Sequence, residues 1–247
     1  RHLSSVLPCA SIARCTAVGV LVAMRSGLAL LDIGTGALTP VADAPYDTST
    51  MRFNDGRCDA AGRLWIGTLY EPRDRPLAPL YCVERGAIRD SGKRATVSNG
   101  VAFSPDNRTL YHADTTSHKI TAYDFELATG RLGEGQLFQQ FPMDKLHNYG
   151  GRPDGAAVDS EGAYWCAMFE GGRILRFSPT GELLREIHLP VRCPTMMAFG
   201  GADLRTLYVT STRHNRSEVE LAQYPVSGCV LALRVDVPGR LEAAYVA

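Results

Sequence analysis

Apolar residues occur along the chain in short runs with strand-like length, each closed by turn residues. Leu64-Trp-Ile-Gly-Thr68, Leu110-Tyr-His-Ala113 and Tyr164-Trp-Cys-Ala-Met168 each follow a Gly or Asn turn by a few positions. Lys119-Ile-Thr-Ala-Tyr-Asp-Phe125, Arg173-Ile-Leu-Arg-Phe177 and Cys229-Val-Leu-Ala-Leu-Arg-Val235 are further runs of the same kind. Turn chemistry separates them, as in Asp32-Ile-Gly-Thr-Gly36, Thr129-Gly130 and Pro179-Thr-Gly181. No window of about 11 residues keeps the 3.6-residue periodicity of an amphipathic helix, so the pattern predicts an all-β chain.

The runs belong to a repeat. Asn54-Asp-Gly-Arg-Cys-Asp-Ala-Ala-Gly62, Asn99-Gly-Val-Ala-Phe-Ser-Pro-Asp-Asn107 and Asp154-Gly-Ala-Ala-Val-Asp-Ser-Glu-Gly162 superpose without a gap. Each opens on Asn or Asp, places Cys58, Phe103 or Val158 four positions on, and ends in a turn that leads into a strand. A fourth copy runs from Thr195 to Asp203 and a weaker one from Ser11 to Gly19. The turns at Gly19, Gly62, Asn107, Gly162 and Asp203 lie 43, 45, 55 and 41 residues apart. That is the period of a four-stranded propeller blade. At about 45 residues per blade the chain holds roughly five and a half blades. The expectation is a six-bladed β-propeller, one domain over residues 1–247, with the N-terminal part of its first blade missing from this chain.

Composition narrows the function classes. Lys plus Arg number 26 and Asp plus Glu number 26, so no cationic excess exists to neutralise phosphates or anionic lipid, and neither nucleic acid nor membrane is an expected partner. Val18–Met24 and Leu28–Leu31 are far too short to cross a bilayer. Residues 6–24 have a leader-like apolar character, but Arg14 interrupts it and no cleavage site follows a basic segment. The seven cysteines are odd in number and form no CxxC pair, which suits free thiols in a reducing, cytoplasmic setting. A closed propeller has no free sheet edges, so a monomer is the default.

In a propeller the innermost strands surround a central channel, so one repeat position becomes a ring. Asn54, Asn99 and Asp154 occupy that position on three successive blades and Thr195 on the next. Two amides and a carboxylate, without Cys or His, suit a hard divalent cation such as Ca²⁺, Mg²⁺ or Mn²⁺. Each of these residues is also an ordinary turn former, and only their common register favours a site. The six histidines show no HxH or HxxxH spacing. Neither a Gly-x-Ser-x-Gly elbow nor a phosphate loop is present.

At these residues the sequence resembles the regucalcin and gluconolactonase family, also called the senescence marker protein family. The resemblance rests on Arg52-Phe-Asn-Asp-Gly56 through Thr68, Ser98-Asn-Gly100 through Asp106, Pro153-Asp-Gly155 through Trp165, and Phe199-Gly-Gly201 through Ser211, in the family's order. It implies a six-bladed propeller with one divalent metal in the channel, with zinc added to the candidate ions. It also implies metal ligation by Asn99 and Asp154, Asn54 beside the metal directly or through water, and substrate contact by Arg52. The family's N-terminal glutamate ligand has no counterpart, since the first Glu is Glu71.

The implied reaction opens a sugar lactone to its aldonic acid, the metal acting as a Lewis acid on the lactone carbonyl. Asp154 is the candidate general base, and Arg52 and Asn54 orient the hydroxylated substrate. The loops Glu71–Ala78 and Phe141–Gly151 are candidate walls of the pocket. The competing expectation is a non-catalytic propeller, a calcium-binding or protein-binding scaffold. A channel filled by apolar side chains would favour it.

Overall fold

The structure, a computed structural model, describes residues 9–16 and 19–247; the leader-like stretch 6–24 lies partly outside them, as do residues 1–8 as a whole. The strands assort into five antiparallel sheets. The first comprises β1 (Cys9–Arg14), β2 (Val20–Met24), β3 (Gly27–Leu31) and β4 (Leu38–Asp43). The second comprises β5 (Met51–Cys58), β6 (Leu64–Tyr70), β7 (Ala78–Glu84) and β8 (Ala87–Ala95). The third comprises β9 (Ser98–Phe103), β10 (Thr109–Asp114), β11 (Lys119–Glu126) and β12 (Arg131–Gln140). The fourth comprises β13 (Arg152–Val158), β14 (Tyr164–Phe169), β15 (Arg173–Phe177) and β16 (Leu183–His188). The fifth has three strands, β17 (Pro194–Gly200), β18 (Thr206–Ser211) and β19 (Val230–Arg234), with helix α1 (Glu218–Gln223) in the connection before the last.

Every sheet is an up-and-down meander, and β1, β5, β9, β13 and β17 lie in succession against one another. The chain is a β-propeller with these as its innermost strands. The expected six blades are corrected to five among the described residues. The connection between β18 and β19 and the segment after β19 add length without adding a further sheet.

The core lies between blades. Leu21, Leu28, Phe53, Ile66 and Tyr81 join the first two sheets, and Trp65, Leu80, Val101, Phe103 and Phe125 join the second to the third. Tyr111, Ile120, Tyr164 and Leu175 join the third to the fourth, and Trp165, Ile174, Met197 and Val209 join the fourth to the fifth. Hairpin turns far from the channel mouth are tied by one device used twice. Asp59 Oδ2 accepts from Trp65 Nε1 at 2.9 Å and Arg63 Nε at 2.7 Å, and Asp159 Oδ2 accepts from Trp165 Nε1 and Arg176 Nε, both at 2.8 Å.

After β19 the chain passes beneath the blades as a strap. Pro238 O accepts from Ser160 N in the fourth blade, Glu242 pairs with Arg57 in the second, and Tyr245 exchanges backbone bonds with Arg14 and Thr16 beside the first. Arg57 itself reaches across the channel, donating to the carbonyls of Val101 and Ala156 on the third and fourth blades. Among the described residues no helix is long and apolar enough to cross a membrane.

Candidate active site

All five inner strands carry one residue more than the strands they pair with. In β5 the pairing steps from Phe53–Thr68 to Gly56–Ile66, and in β13 from Pro153–Met168 to Ala156–Cys166. The same step occurs between Asn99 and Ala102 in β9, between Pro194 and Met197 in β17, and between Cys9 and Ser11 in β1. Such a bulge breaks the strict alternation of faces and re-aims side chains. Asn54 and its neighbour Asp55 therefore both line the same cleft, as do Asp154 with Gly155 and Thr195 with Met196. In β9 the bulge needs glycine. Gly100 has φ +59°, and a Cβ there would fall 2.4 Å from Tyr164 Oη.

The cleft has a volume of about 760 Å³, the size of an ordinary small-molecule site. Arg52, Asn54, Asn99 and Asp154, the residues singled out from the sequence, all line it. Three of them are joined in one directed hydrogen-bond chain. Arg52 Nη1 donates to Asn54 Oδ1 at 3.0 Å, and Asn54 Nδ2 donates to Asn99 Oδ1 at 2.8 Å and to Ser98 O at 2.9 Å. Asn99 Nδ2 donates to Thr115 Oγ1 at 2.7 Å, whose hydroxyl donates to Pro153 O at 2.6 Å. The chain thus runs from the second blade to the residue preceding Asp154. Each amide is fixed in orientation by a partner on the neighbouring blade.

Asp154 stands outside this chain of bonds. Its surroundings are protein, one face opens to the cleft, and burial, reinforced by the charge of Asp55, pushes its carboxyl up to about 8. Asp55 is buried beneath it and accepts from Val101 N at 3.0 Å. Burial lifts Asp55 to about 6 in spite of the nearby Arg57 guanidinium. Arg52 is pulled down by burial while the charge of Glu71 acts against that shift.

The donor set fits a hard divalent cation. The carboxyls of Asp55 and Asp154 and the amides of Asn54 and Asn99 line one cleft, and a metal would offset the burial and the Asp55 charge that hold Asp154 protonated. Both amide oxygens accept hydrogen bonds, from Arg52 and from Asn54, which a bound ion would displace. No cluster of three His, Cys, Asp or Glu suited to a metal occurs among the described residues, so such an ion depends on Asn54 and Asn99 for part of its shell.

Several lining residues escaped the sequence reading. Asp55 was hidden because strict alternation would turn it away from Asn54. Arg152 sits two positions before Asp154, as Arg52 does before Asn54, and that shared register was the available signal. Of the two expected pocket loops, Glu71–Ala78 contributes Arg73, whereas Phe141–Gly151 contributes nothing to the lining. His147 in that second loop is exposed and bonded to Asp144. The far wall instead comes from Thr212, His214, Asn215 and Arg216, in the connection after β18. Among the described residues, apolar side chains do not fill the channel. All seven cysteines are free, four of them buried.

Residues 2–213 match the SMP-30/gluconolactonase/LRE-like region. The chain is 51% identical over 229 residues to a 6-deoxy-6-sulfogluconolactonase from Pseudomonas putida, covering 92% of this chain and 77% of that protein. It is 30% identical over 239 residues to regucalcin from Gallus gallus, covering 94% and 78%. The crystal structure of a calcium-binding protein, regucalcin, from Agrobacterium tumefaciens superposes with a TM-score of 0.90 at 29% identity, covering 97% of this chain and 80% of that one. The chain belongs to the SMP-30/gluconolactonase/LRE-like family.

Proposed function

We propose that the chain is a sugar lactonase, hydrolysing a gluconolactone-type ring to its aldonic acid with the help of one divalent cation. The observation that carries this reading is the convergence of Arg52, Asn54, Asn99 and Asp154 on one polar cleft, with Asp154 enclosed beside Asp55. The family supports it, since the Pseudomonas relative is named as a lactonase and the Agrobacterium one as calcium-binding. A scaffold role has no such use for a polar, open channel.

Asn99 and Asp154 would hold the cation, with Asn54 at its side. A bound divalent ion supplies polarisation of the lactone carbonyl and keeps Asp154 ionised. Asp154 then accepts the proton of the attacking water through the oxygen that faces the cleft. Arg52 presents N–H donors to ring hydroxyls or to the carbonyl side of the ester, and its bond to Asn54 Oδ1 holds it in position. Asn54, fixed through Ser98 O and Asn99, keeps its amide from turning as substrate arrives.

The test is acid release from glucono-1,5-lactone in weak buffer, with EDTA and after adding back Ca²⁺, Mg²⁺, Mn²⁺ or Zn²⁺. EDTA is expected to remove the activity and at least one ion to restore it. Asp154→Ala should lower kcat by about 100-fold or more. A folded sample with no rate above the spontaneous reaction in any ion would refute the proposal.

A further inference from the structure

Beyond the central ring, one wall of the cleft carries more positive charge than the protein neutralises. Arg152, at the start of β13, is the register counterpart of Arg52, so the two guanidiniums approach the cleft from the second and fourth blades. Their surroundings differ. Arg52 has acceptors in Phe53 O and Asn54 Oδ1 and lies 4.0 Å from Glu71. The Arg152 Nε is buried with no hydrogen-bond partner among the described residues, and its Nη2 is 3.7 Å from Glu170 Oε2, outside hydrogen-bonding range. The Nε of Arg192 is orphaned in the same way, but Arg152 alone of the two lines the cleft, its side chain is 25% exposed, and it donates no hydrogen bond among the described residues, so its terminal N–H groups are open to an acceptor that enters the cleft.

The groups around Arg152 hold it in place without consuming it. Its guanidinium lies over the Phe169 ring at 5.1 Å, and Arg216 approaches the same ring at 6.0 Å. Arg216 is clamped by Glu220 through two bonds of 2.7 Å and reaches Glu170 at 3.4 Å. Glu170 also takes Lys145 Nζ at 2.9 Å and Tyr149 Oη at 2.8 Å. Arg192 Nε stands 3.5 Å from Glu220. Burial pushes the Glu170 carboxyl up, but the bonds from Lys145 and Tyr149 and the charge of Arg152 outweigh it and bring it down to about 2. Four cations, Lys145, Arg152, Arg192 and Arg216, thus face two carboxylates, Glu170 and Glu220. Arg152 and Arg216 are the members of this cluster that reach the cleft.

We propose that Arg152, backed by Arg216 and Phe169, forms a subsite for an anionic substituent carried by the sugar lactone outside the ring that is opened. The fork of a guanidinium matches the oxygens of a sulfonate, phosphate or carboxylate, and the stacked Phe169 ring fixes its plane. The inference rests on the lactonase reading and deepens it, since it names the class of lactone that the site selects.

The experiment compares kcat/KM for glucono-1,5-lactone with that for its 6-deoxy-6-sulfo and 6-phospho counterparts and for a glucarate lactone, in the wild-type chain, Arg152→Gln and Arg152→Lys. At least one anionic lactone is expected to exceed the neutral one by about 10-fold or more, and Arg152→Gln should lower that ratio by roughly 10- to 100-fold. Arg152→Lys should keep part of it, and added salt should shrink it. The anion preferred identifies the source. An unchanged ratio in Arg152→Gln, or no anionic preference in the wild type, overturns the subsite. Calorimetric titration with 6-deoxy-6-sulfogluconate and with gluconate reads the subsite without turnover. Arg152-dependent binding in a chain that hydrolyses no lactone would refute the lactonase reading alone. Turnover without anionic preference would refute the subsite alone.

Discussion

Without a cation beside it, the Asp154 carboxyl holds its proton at neutral pH, since burial, with the charge of Asp55 added, lifts it to about 8 against the pull of Arg152 and Arg52. An unfolded chain releases the same proton near pH 4. Between about pH 4 and 8 the folded state therefore binds more protons than the unfolded one, and this group lowers stability as the pH rises. Asp154→Asn removes that slope. In metal-stripped protein its Tm should exceed that of the wild type by a few degrees at pH 8 and approach it toward pH 4, as read by thermal denaturation. A variant less stable than the wild type at pH 8 would show that the Asp154 carboxyl is not strained in the empty site. The place of Asn54 and Asn99 on the cleft was legible from their shared register, whereas that of Asp55 and Arg152 was not. One was masked by the alternation rule, and the other has Val97 as its counterpart in the third blade.

At the level of strands and turns, the repeat was readable because its punctuation is chemical. Asp59, Ser104 and Asp159 open the turns of three copies, and Trp65 and Trp165 recur at one offset from Asp59 and Asp159. Asp159 accepts four bonds, from Glu161 N, Ala163 N, Trp165 Nε1 and Arg176 Nε, with no exposure to solvent. Asp159→Ala would leave the Trp165 indole N–H and the Arg176 guanidinium without this acceptor. A loss of about 3 kcal/mol or more is expected in urea denaturation, with the m-value unchanged. A cost below about 1 kcal/mol would mean that water or Glu161 takes over. The bulges left no such mark. An extra residue in a strand alters neither composition nor the order of apolar positions in a short run, so its presence shows only when the partner strand is in place.

For the molecule as a whole, the count of blades could not be taken from length, because the strap and the β18–β19 connection use residues without adding a blade. The strap links blades that are distant in sequence. Its Glu242 neutralises Arg57, which is largely buried where it spans the channel. Glu242→Ala leaves that guanidinium with carbonyl partners alone, and about 2 kcal/mol of stability should be lost. Because Arg57 also opposes the charge of Asp55, the cleft floor should change with it, and the apparent affinity for an added divalent ion is expected to fall. Calorimetry with Ca²⁺ or Mn²⁺ reads this, and unchanged affinity would show that the underside and the cleft act independently.

The recurrence of a bulge near the start of every inner strand separates the socket from the pins it holds. The backbone aims a side chain at the axis whichever residue fills the position, and the four later blades fill it with Asn54, Asn99, Asp154 and Thr195. Thr195, bonded to Thr210 Oγ1 at 2.8 Å, is the slot with the least chemistry in use. Descent with a new reaction therefore requires no rebuilding of this scaffold. A handful of codon changes at the axis can exchange one ligand set for another while the interblade cores, which carry the stability, are left alone.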